Sequence, residues 1–343
     1  MVFGMTKVYT ELVYFYKKRE FIMSRNLKKI AIMIATVLLI VGSLPFMSLT
    51  AQAADTTVGN DKITIGTIKN TAAMPAVMAK DATDFSRNNI NVDVKSFDSN
   101  KELNDAIANG DVNVAATDLV SYASLAKKNS TWKIVGTLPG YYGLVANKKY
   151  KKIKNLKGKT IAIDKKSGSK QYLKSILKKN KVKYSSVKVK QIDADSTRVD
   201  SLKSGDIDAA VLEDPSISNA KGNGAKVLNR QKTGKDNGQI LIANKDFTKK
   251  NASSTQILVS VLNTEIKNIN KVGGYGSAQA ALRDFGISDK GAKYITDMSV
   301  TFKKVHKVKK SDFKKAFKYA KSQKLFKGKI SYNKYTLKVK GVK

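Results

Sequence analysis

Residues 156–173 read LKGKTIAIDKKSGSKQYL, and this stretch sets the architecture. A charged turn leads into a short apolar strand over Thr160–Ile163. The small-residue loop Ser167, Gly168, Ser169 follows, and then a helix with Tyr172, Leu173, Ile176 and Leu177 on one face. A strand that runs through such a loop into a helix leaves backbone N–H groups unpaired at the helix start, where the helix dipole is positive. That is a place to hold a small polar or anionic group, although most strand-to-helix turns bind nothing.

Upstream, residues 63–68 alternate as a strand, and residues 71–85 predict one helix with Pro75 in its first turn. Ile90, Val92 and Val94 mark the next strand. Ser99 and Glu102 form a capping box for a helix closed by Gly110, and residues 112–116 read as a buried strand ending at Thr117 and Asp118. Two more strands are expected over 132–136 and 142–147.

About 95 residues on, the same order recurs: strand 160–163, helix 169–180, strand 187–192, a helix capped by Asp195 and stopped at Gly205, and a buried strand 207–212 ending at Glu213 and Asp214. AIANGDVNV (106–114) aligns with SLKSGDIDA (201–209), laying Gly110-Asp111 over Gly205-Asp206. Two βαβαβ copies imply two similar α/β lobes, each burying its own parallel sheet between helices. The chain returns through a short apolar strand at 239–243 and then reads as helices that pack on the first lobe. Tyr335, Leu337 and Val339 alternate too weakly for more than an edge strand.

In open α/β sheets ligands sit beyond the carboxyl ends of the strands. Two facing lobes then set residues 67–71 against 165–169 and residues 117–121 against 213–216 across a cleft.

The N-terminus is set apart. Arg25, Lys28 and Lys29 precede an apolar run over 30–41, Pro45 breaks it, and Ala51-Gln52-Ala53 supplies a small-residue cleavage site. This predicts a secretory signal peptide within residues 1–54, cut near Ala53 or Ala54. Translation is expected to start at Met23, because residues 1–22 form no sensible leader.

With no cysteine there is neither a disulfide nor an acylated tether. Beyond residue 54 the chain keeps 57 basic and 25 acidic side chains, a net of +32. Such a field holds a protein on polyanions, and for an exported chain those are teichoic acids or anionic lipid rather than nucleic acid.

The signal-peptide pattern, the 156–173 stretch and RVDSLKSGDIDAAVLEDP (198–215) resemble the solute-binding proteins of ABC importers. The branch is the one that includes sulfonate, taurine, nitrate and thiamine-precursor binders. The resemblance covers about residues 62–247 well and the C-terminal helices, with FKYAKSQKLF at 317–326, more loosely.

It implies an α/β, two-lobed type 2 periplasmic-binding-protein fold, with lobe I from residues 55–142 and 240–343 and lobe II from 143–239. It also implies a monomeric, non-catalytic receptor without cofactor, which delivers a small organic ligand to a membrane permease from outside the cell. The ligand positions it carries over are Asn70, Thr71, Thr117, Asp118, Tyr141, Tyr142, Ser167, Gly168, Ser169 and Glu213. The missing lipidated Cys departs from the Gram-positive pattern and leaves the tether open.

Several of these residues have structural readings beside the functional one. Ser167 and Ser169 read either as helix caps or as ligand contacts. Tyr141 and Tyr142 are strand neighbours, so only one of them faces the cleft. Glu213 reads as an amine ligand or as a helix-start acid, while Asp214 is assigned a structural role. His306, flanked by lysines, is expected in solvent, and one His without Cys excludes the usual zinc sites. Asp193, Asp195, Asp206 and Asp208 are spaced as caps and turns rather than as a calcium loop. Two other functions compete: an enzyme on the same fold, and a basic surface protein held on wall polyanions with an idle cleft.

Overall fold

The computed structural model describes residues 61–127 and 129–343. The leader, its cleavage site and the Met23 start lie outside the described residues. No helix among those described is long and apolar enough to cross a membrane.

Among the described residues ten strands form two five-stranded sheets. The first sheet has β1 (Ile63–Ile68), β2 (Val92–Phe97), β3 (Val114–Asp118), β4 (Trp132–Thr137) and β10 (Gln239–Asn244), in the order β2-β1-β3-β10-β4. The second has β5 (Tyr142–Ala146), β6 (Thr160–Ile163), β7 (Lys188–Gln191), β8 (Ala209–Glu213) and β9 (Lys226–Arg230), in the order β7-β6-β8-β5-β9.

In each sheet three strands run parallel and the fourth is reversed: β10 is antiparallel to β3, and β5 to β8. The reversed strand is the one by which the chain enters from the other lobe, so the two lobes are mutually laced. The duplicated pattern in the sequence therefore corresponds to a duplicated sheet, the two-lobed type 2 periplasmic-binding-protein fold.

Both sheets are covered on both faces, which is why β3, β5 and β8 are buried throughout their length and apolar up to the polar residues at their cleft ends. In lobe I, one face is covered by α1 (Met74–Asp81), α2 (Asp84–Arg87) and the long α9 (Ala252–Val272), which follows α8 (Lys245–Lys250). The other face is covered by α3 (Asn100–Asn109), α4 (Leu119–Ala126) and α12 (Lys310–Ser322), where Trp132, Tyr122, Phe313 and Phe317 pack together. In lobe II, α5 (Gly168–Lys179) covers one face, and α6 (Asp195–Ser204) with α7 (Ser216–Gly222) covers the other.

Several expectations need correction. The helix read over 71–85 is two helices, because Thr83 adopts φ +57 and breaks the ladder between α1 and α2. β9 was not foreseen: its half-exposed KVLNR carries too little apolar alternation. The tail after α13 (Tyr332–Tyr335) is no strand, since it meets β4 only in one bridge, Thr336 to Ile134. Asp195 is not a cap but the first residue of α6.

The C-terminal helices do not all pack on lobe I. α10 (Gln279–Asp284) does, but α11 (Asp289–Thr296) lies on α7 of lobe II. A Cβ on Gly222 would come within 2.8 Å of Gly291 N, and one on Gly291 within 2.8 Å of Asn219 Cα, so only glycine permits this approach. Ser288 caps α11 and also gives its N–H and Oγ–H to Asn219 Oδ1.

Candidate functional site: the interlobe cleft

The parallel strands of both sheets point their carboxyl ends at one another. β1 runs out at a loop bearing Asn70, β3 at Asp118, β6 at Asp164 and β8 at Glu213. Register does the rest. Gln239 lies opposite Asp118 at the head of β10, and Tyr142 opposite Glu213 at the head of β5.

Three direct hydrogen bonds join the lobes here, each from an amide to a carboxylate. Asn70 Nδ2 donates to Glu213 Oε2 (3.1 Å), the Gly168 N–H to Asp118 Oδ1 (3.0 Å), and Asn100 Nδ2 to Asp164 Oδ2 (3.2 Å). Gln239 adds a fourth donor, giving Nε2–H to Glu213 Oε2 at 2.7 Å.

Local structure explains why these side chains are held. Asp118 is the N-cap of α4: Oδ1 accepts from the Val120 and Ser121 N–H groups, and Oδ2 from Ser121 Oγ. Ser167 caps α5 by accepting from the Ser169 N–H, while Ser169 Oγ donates to the Asp164 carbonyl. Gly168 stands at the first position of α5. A Cβ there would meet Tyr142 Oη at 2.9 Å and Asp118 Oδ1 at 3.2 Å, so the lobes approach this closely because the position is glycine.

The centre is acidic in a chain that is otherwise strongly basic. Burial pushes Glu213 up to about 8, reinforced by the Asp118 charge, and pushes Asp118 up to about 6. One cation faces them. Arg198 is buried in α6 and held down to about 10 by that burial. It is largely committed, pairing with Asp195 and reaching the Ile192 and Asp193 carbonyls, although its Nε has no partner. Asp195 in turn accepts the Glu213 N–H at 2.7 Å.

Beside this latch the cleft widens into a groove of about 490 Å³. Its floor is Tyr142 stacked on Tyr172 at 5.8 Å, with Ile176 and Ala316. Its rim carries Arg230, Lys179, Lys232 and Lys235, and carboxamides come from Asn229, Gln231 and Asn237. On the other side of the latch only about 30 Å³ remains among Asn70, Asp164, Ser167, Ser169, Arg198 and Glu213.

Of the positions expected from sequence, Asn70, Asp118, Tyr142, Ser167, Gly168, Ser169 and Glu213 converge here. Tyr141 does not: as its neighbour turns inward, its own hydroxyl donates to Asp214 (2.7 Å) and its ring stacks on Phe302. Asp214, tied to Tyr141 and the Ser218 N–H, is structural. Thr71 and Thr117 are buried behind the surface, Thr71 with no partner for Oγ1.

His306 is not free in solvent. Its Nδ1 lies 2.9 Å from Thr137 Oγ1 and its Nε2 3.2 Å from Asp236. Asp164, Arg198, Gln239 and Arg230 were not foreseen. Only Asp164 carried a signal, as the acid ending a strand just before the Ser-Gly-Ser loop. Among the described residues no three His, Cys, Asp or Glu side chains are grouped to hold a metal ion.

The fold is similar to an alkanesulfonate-binding protein SsuA of Xanthomonas axonopodis pv. citri bound to MOPS, with TM-score 0.65 and 18% identity over 78% of this chain and 94% of that one. It is similar to a periplasmic aliphatic sulphonate-binding protein of Escherichia coli, with TM-score 0.66 and 16% identity over 82% and 94%. The ligand-binding component of an ABC-type import system from Staphylococcus aureus, with zinc bound, gives TM-score 0.68 and 15% identity over 81% and 96%. No curated protein matches the sequence significantly. A family model described as NMT1/THI5 like matches residues 70–268, from the Asn70 loop through both sheets and into α9. That match spans more than half of the chain and every converging side chain of the cleft, and the chain belongs to the NMT1/THI5-like family.

Proposed function

We propose that the chain is the extracellular solute-binding component of an ABC importer, capturing a small organic ligand between its lobes and handing it to a permease. The observation that carries this is the meeting of polar side chains from both lobes at the strand ends, where the bonds that close the cleft run from one lobe to the other. Lobe I is taken as 55–142 with 240–343 and lobe II as 143–239, so residues near 142 and 239 are the hinge. The role is non-catalytic on this reading: the cleft carboxylates are engaged by amides and helix caps, and Ser121 Oγ is spent on capping α4 with Asp118.

The charge pattern selects among ligands. A bare anion placed at the centre would face Asp118 and Glu213, whereas an amine would meet them and an acid group on the same molecule would reach Arg230 or Lys179 at the rim. A taurine-like zwitterion, or an aminopyrimidine of the thiamine-precursor kind lying on Tyr142 and Tyr172, satisfies both ends.

A ligand that binds only the closed form raises the melting temperature and compacts the protein. The test is a thermal-shift panel of taurine, alkanesulfonates, aminopyrimidines and small carboxylates, followed by small-angle scattering on the hits. The expected outcome is a shift for amine-bearing members, with a smaller radius of gyration. No shift across the panel would sink the reading.

A second reading has its own observation. Apart from Arg198 Nε and Asn100 Oδ1 the cleft residues satisfy one another, with only about 30 Å³ left on one side of the latch, as an idle cleft in a surface-retained protein would. Scattering that is unchanged by every panel member would favour it.

A further inference from the structure

Residues 148–190 contain seventeen lysines, no arginine and one acid, Asp164. The segment is contiguous in space as well as in sequence. It runs from the end of β5 through a 3-10 turn at Ile153–Leu156, β6, α5 and a second turn at Tyr184–Ser186 to the edge strand β7. Its apolar side chains, among them Tyr150, Ile153, Leu156, Leu173, Leu177, Val182 and Val187, form the core over one face of the lobe II sheet, so its solvent side is one continuous shell.

Fourteen of the seventeen lysines are exposed and the other three are half-buried. Among the described residues none forms an ion pair. Elsewhere lysines do, as in Lys69–Asp98, Lys80–Asp93, Lys101–Asp105 and Lys293–Asp297. The single acid cannot neutralise the shell: Asp164 is buried, and its oxygens accept from the Lys166 N–H, Gln191 and Asn100. Seventeen like charges on one side of one lobe repel each other, which disfavours the compact state unless something outside compensates.

We propose that this lysine shell is a binding surface for a linear phosphodiester polymer of the polyol-phosphate kind. Lysine is a point charge that suits successive single phosphates, whereas planar two-pronged recognition calls for arginine, of which the shell has none. The surface curves from the turn at 148–159 over α5 to the β7 edge, and a flexible polymer can follow it. An anionic bilayer attracts lysines too but holds a protein firmly only where apolar side chains insert beside them, and the exposed large hydrophobics among the described residues, Val272 and Tyr294, lie outside the shell. Nucleic acid gains from aromatic platforms for its bases, yet Tyr150 and Tyr184 are each overlaid by lysine, from Lys149 and Lys174. Lys179 alone is shared with the rim of the ligand groove, and the four shell positions substituted below lie outside it.

The test measures binding of the full chain to labelled poly(glycerol phosphate) between 0.05 and about 0.3 M salt. One variant combines Lys151→Glu, Lys154→Glu, Lys178→Glu and Lys181→Glu. A control of equal net charge combines Lys249→Glu, Lys250→Glu, Lys267→Glu and Lys271→Glu on α8 and α9, all exposed and outside any ion pair. The shell variant should lose about tenfold or more in affinity near 0.15 M salt, and its log–log salt slope should fall by about three, because each phosphate contact contributes about 0.7 to 0.9. The control should stay within about threefold of the unaltered chain.

Equal losses in both variants, or a loss in neither, would overturn the proposal. So would tighter binding to duplex DNA or to phosphatidylglycerol vesicles at matched phosphate concentration. If the reversal set fails to fold, as judged by its melting temperature, the same four positions as Lys→Gln should still lower the slope, and an unchanged slope overturns the proposal.

Discussion

Glu213→Gln should stabilise the protein, and the gain should grow with pH. Glu213 is buried in the closed cleft, and burial with the neighbouring Asp118 charge lifts its carboxyl from an ordinary 4.5 to about 8. Between those values the folded protein holds a proton that the unfolded chain has released, so folding requires proton uptake and stability falls as pH rises. Each pH unit in that window costs about 1.4 kcal/mol. The cost is therefore about 3 kcal/mol at pH 7 and reaches about 4 to 5 kcal/mol, as an upper bound, above pH 8. Below pH 4.5 it vanishes, because both states are then protonated.

Glutamine keeps the carbonyl that accepts from Asn70 and Gln239 and has no charge to bury. Equilibrium urea unfolding of both proteins at pH 4.5, 7 and 8.5 measures the difference directly. The expected result is near-equal stability at pH 4.5 and a glutamine variant more stable by a few kcal/mol at pH 8.5. A difference that is flat with pH would refute the reasoning, since Glu213 would then titrate normally. A carboxylate kept at such a cost belongs to a binding site, so the same substitution should weaken amine-bearing ligands.

Gly168→Ala places a methyl 2.9 Å from Tyr142 Oη and 3.2 Å from Asp118 Oδ1, so it should part the lobes and cost about 1 to 3 kcal/mol, read as a larger radius of gyration in scattering and a lower urea midpoint. Gly291→Ala drives a methyl against Asn219 Cα at 2.8 Å and should cost a similar amount, seen as faster hydrogen exchange in α7 and α11. Phe317→Ala empties the aromatic cluster of Tyr122, Phe313, Phe326 and Tyr335 and should cost about 3 to 5 kcal/mol by urea unfolding.

The architecture was legible because it is written twice. Gly110-Asp111 over Gly205-Asp206 marks equivalent helix ends, and the two glycines do take φ +80 and +89 there. Asp118 and Glu213 end equivalent strands of the two copies and are ligand positions the family resemblance carries over, whereas Asp164, which also follows a strand end, escapes. What escaped depends on partners distant in sequence. Gln239 reads as the first residue of a strand, and only its antiparallel pairing with Asp118 places it at the latch. Arg198 has near partners in Asp195, Ile192 and Asp193, but reads as an ordinary helix charge because its burial at the cleft comes from tertiary packing.

The seat of α11 on lobe II rests on Gly222 and Gly291, which only tertiary contact pairs. Thr83 breaks a helix whose apolar periodicity runs on unbroken, a backbone event that residue spacing does not encode. β9 has too little alternation for the strand it forms, and the weak alternation of the tail, read as at most an edge strand, corresponds to a single bridge.

The claim that one ligand is held by both lobes is tested most directly by calorimetric titration of the tightest panel ligand into the unaltered protein, Asp118→Asn and Glu213→Gln. Asp118 comes from lobe I and Glu213 from lobe II, and at pH 8.5, where both carboxyls are ionised and the titration is run, each loses only its charge. If the cleft has two walls, each substitution weakens that ligand by about tenfold or more, as expected for one charge-assisted hydrogen bond. If either variant binds as tightly as the unaltered protein, the ligand does not lie between the lobes at the strand ends.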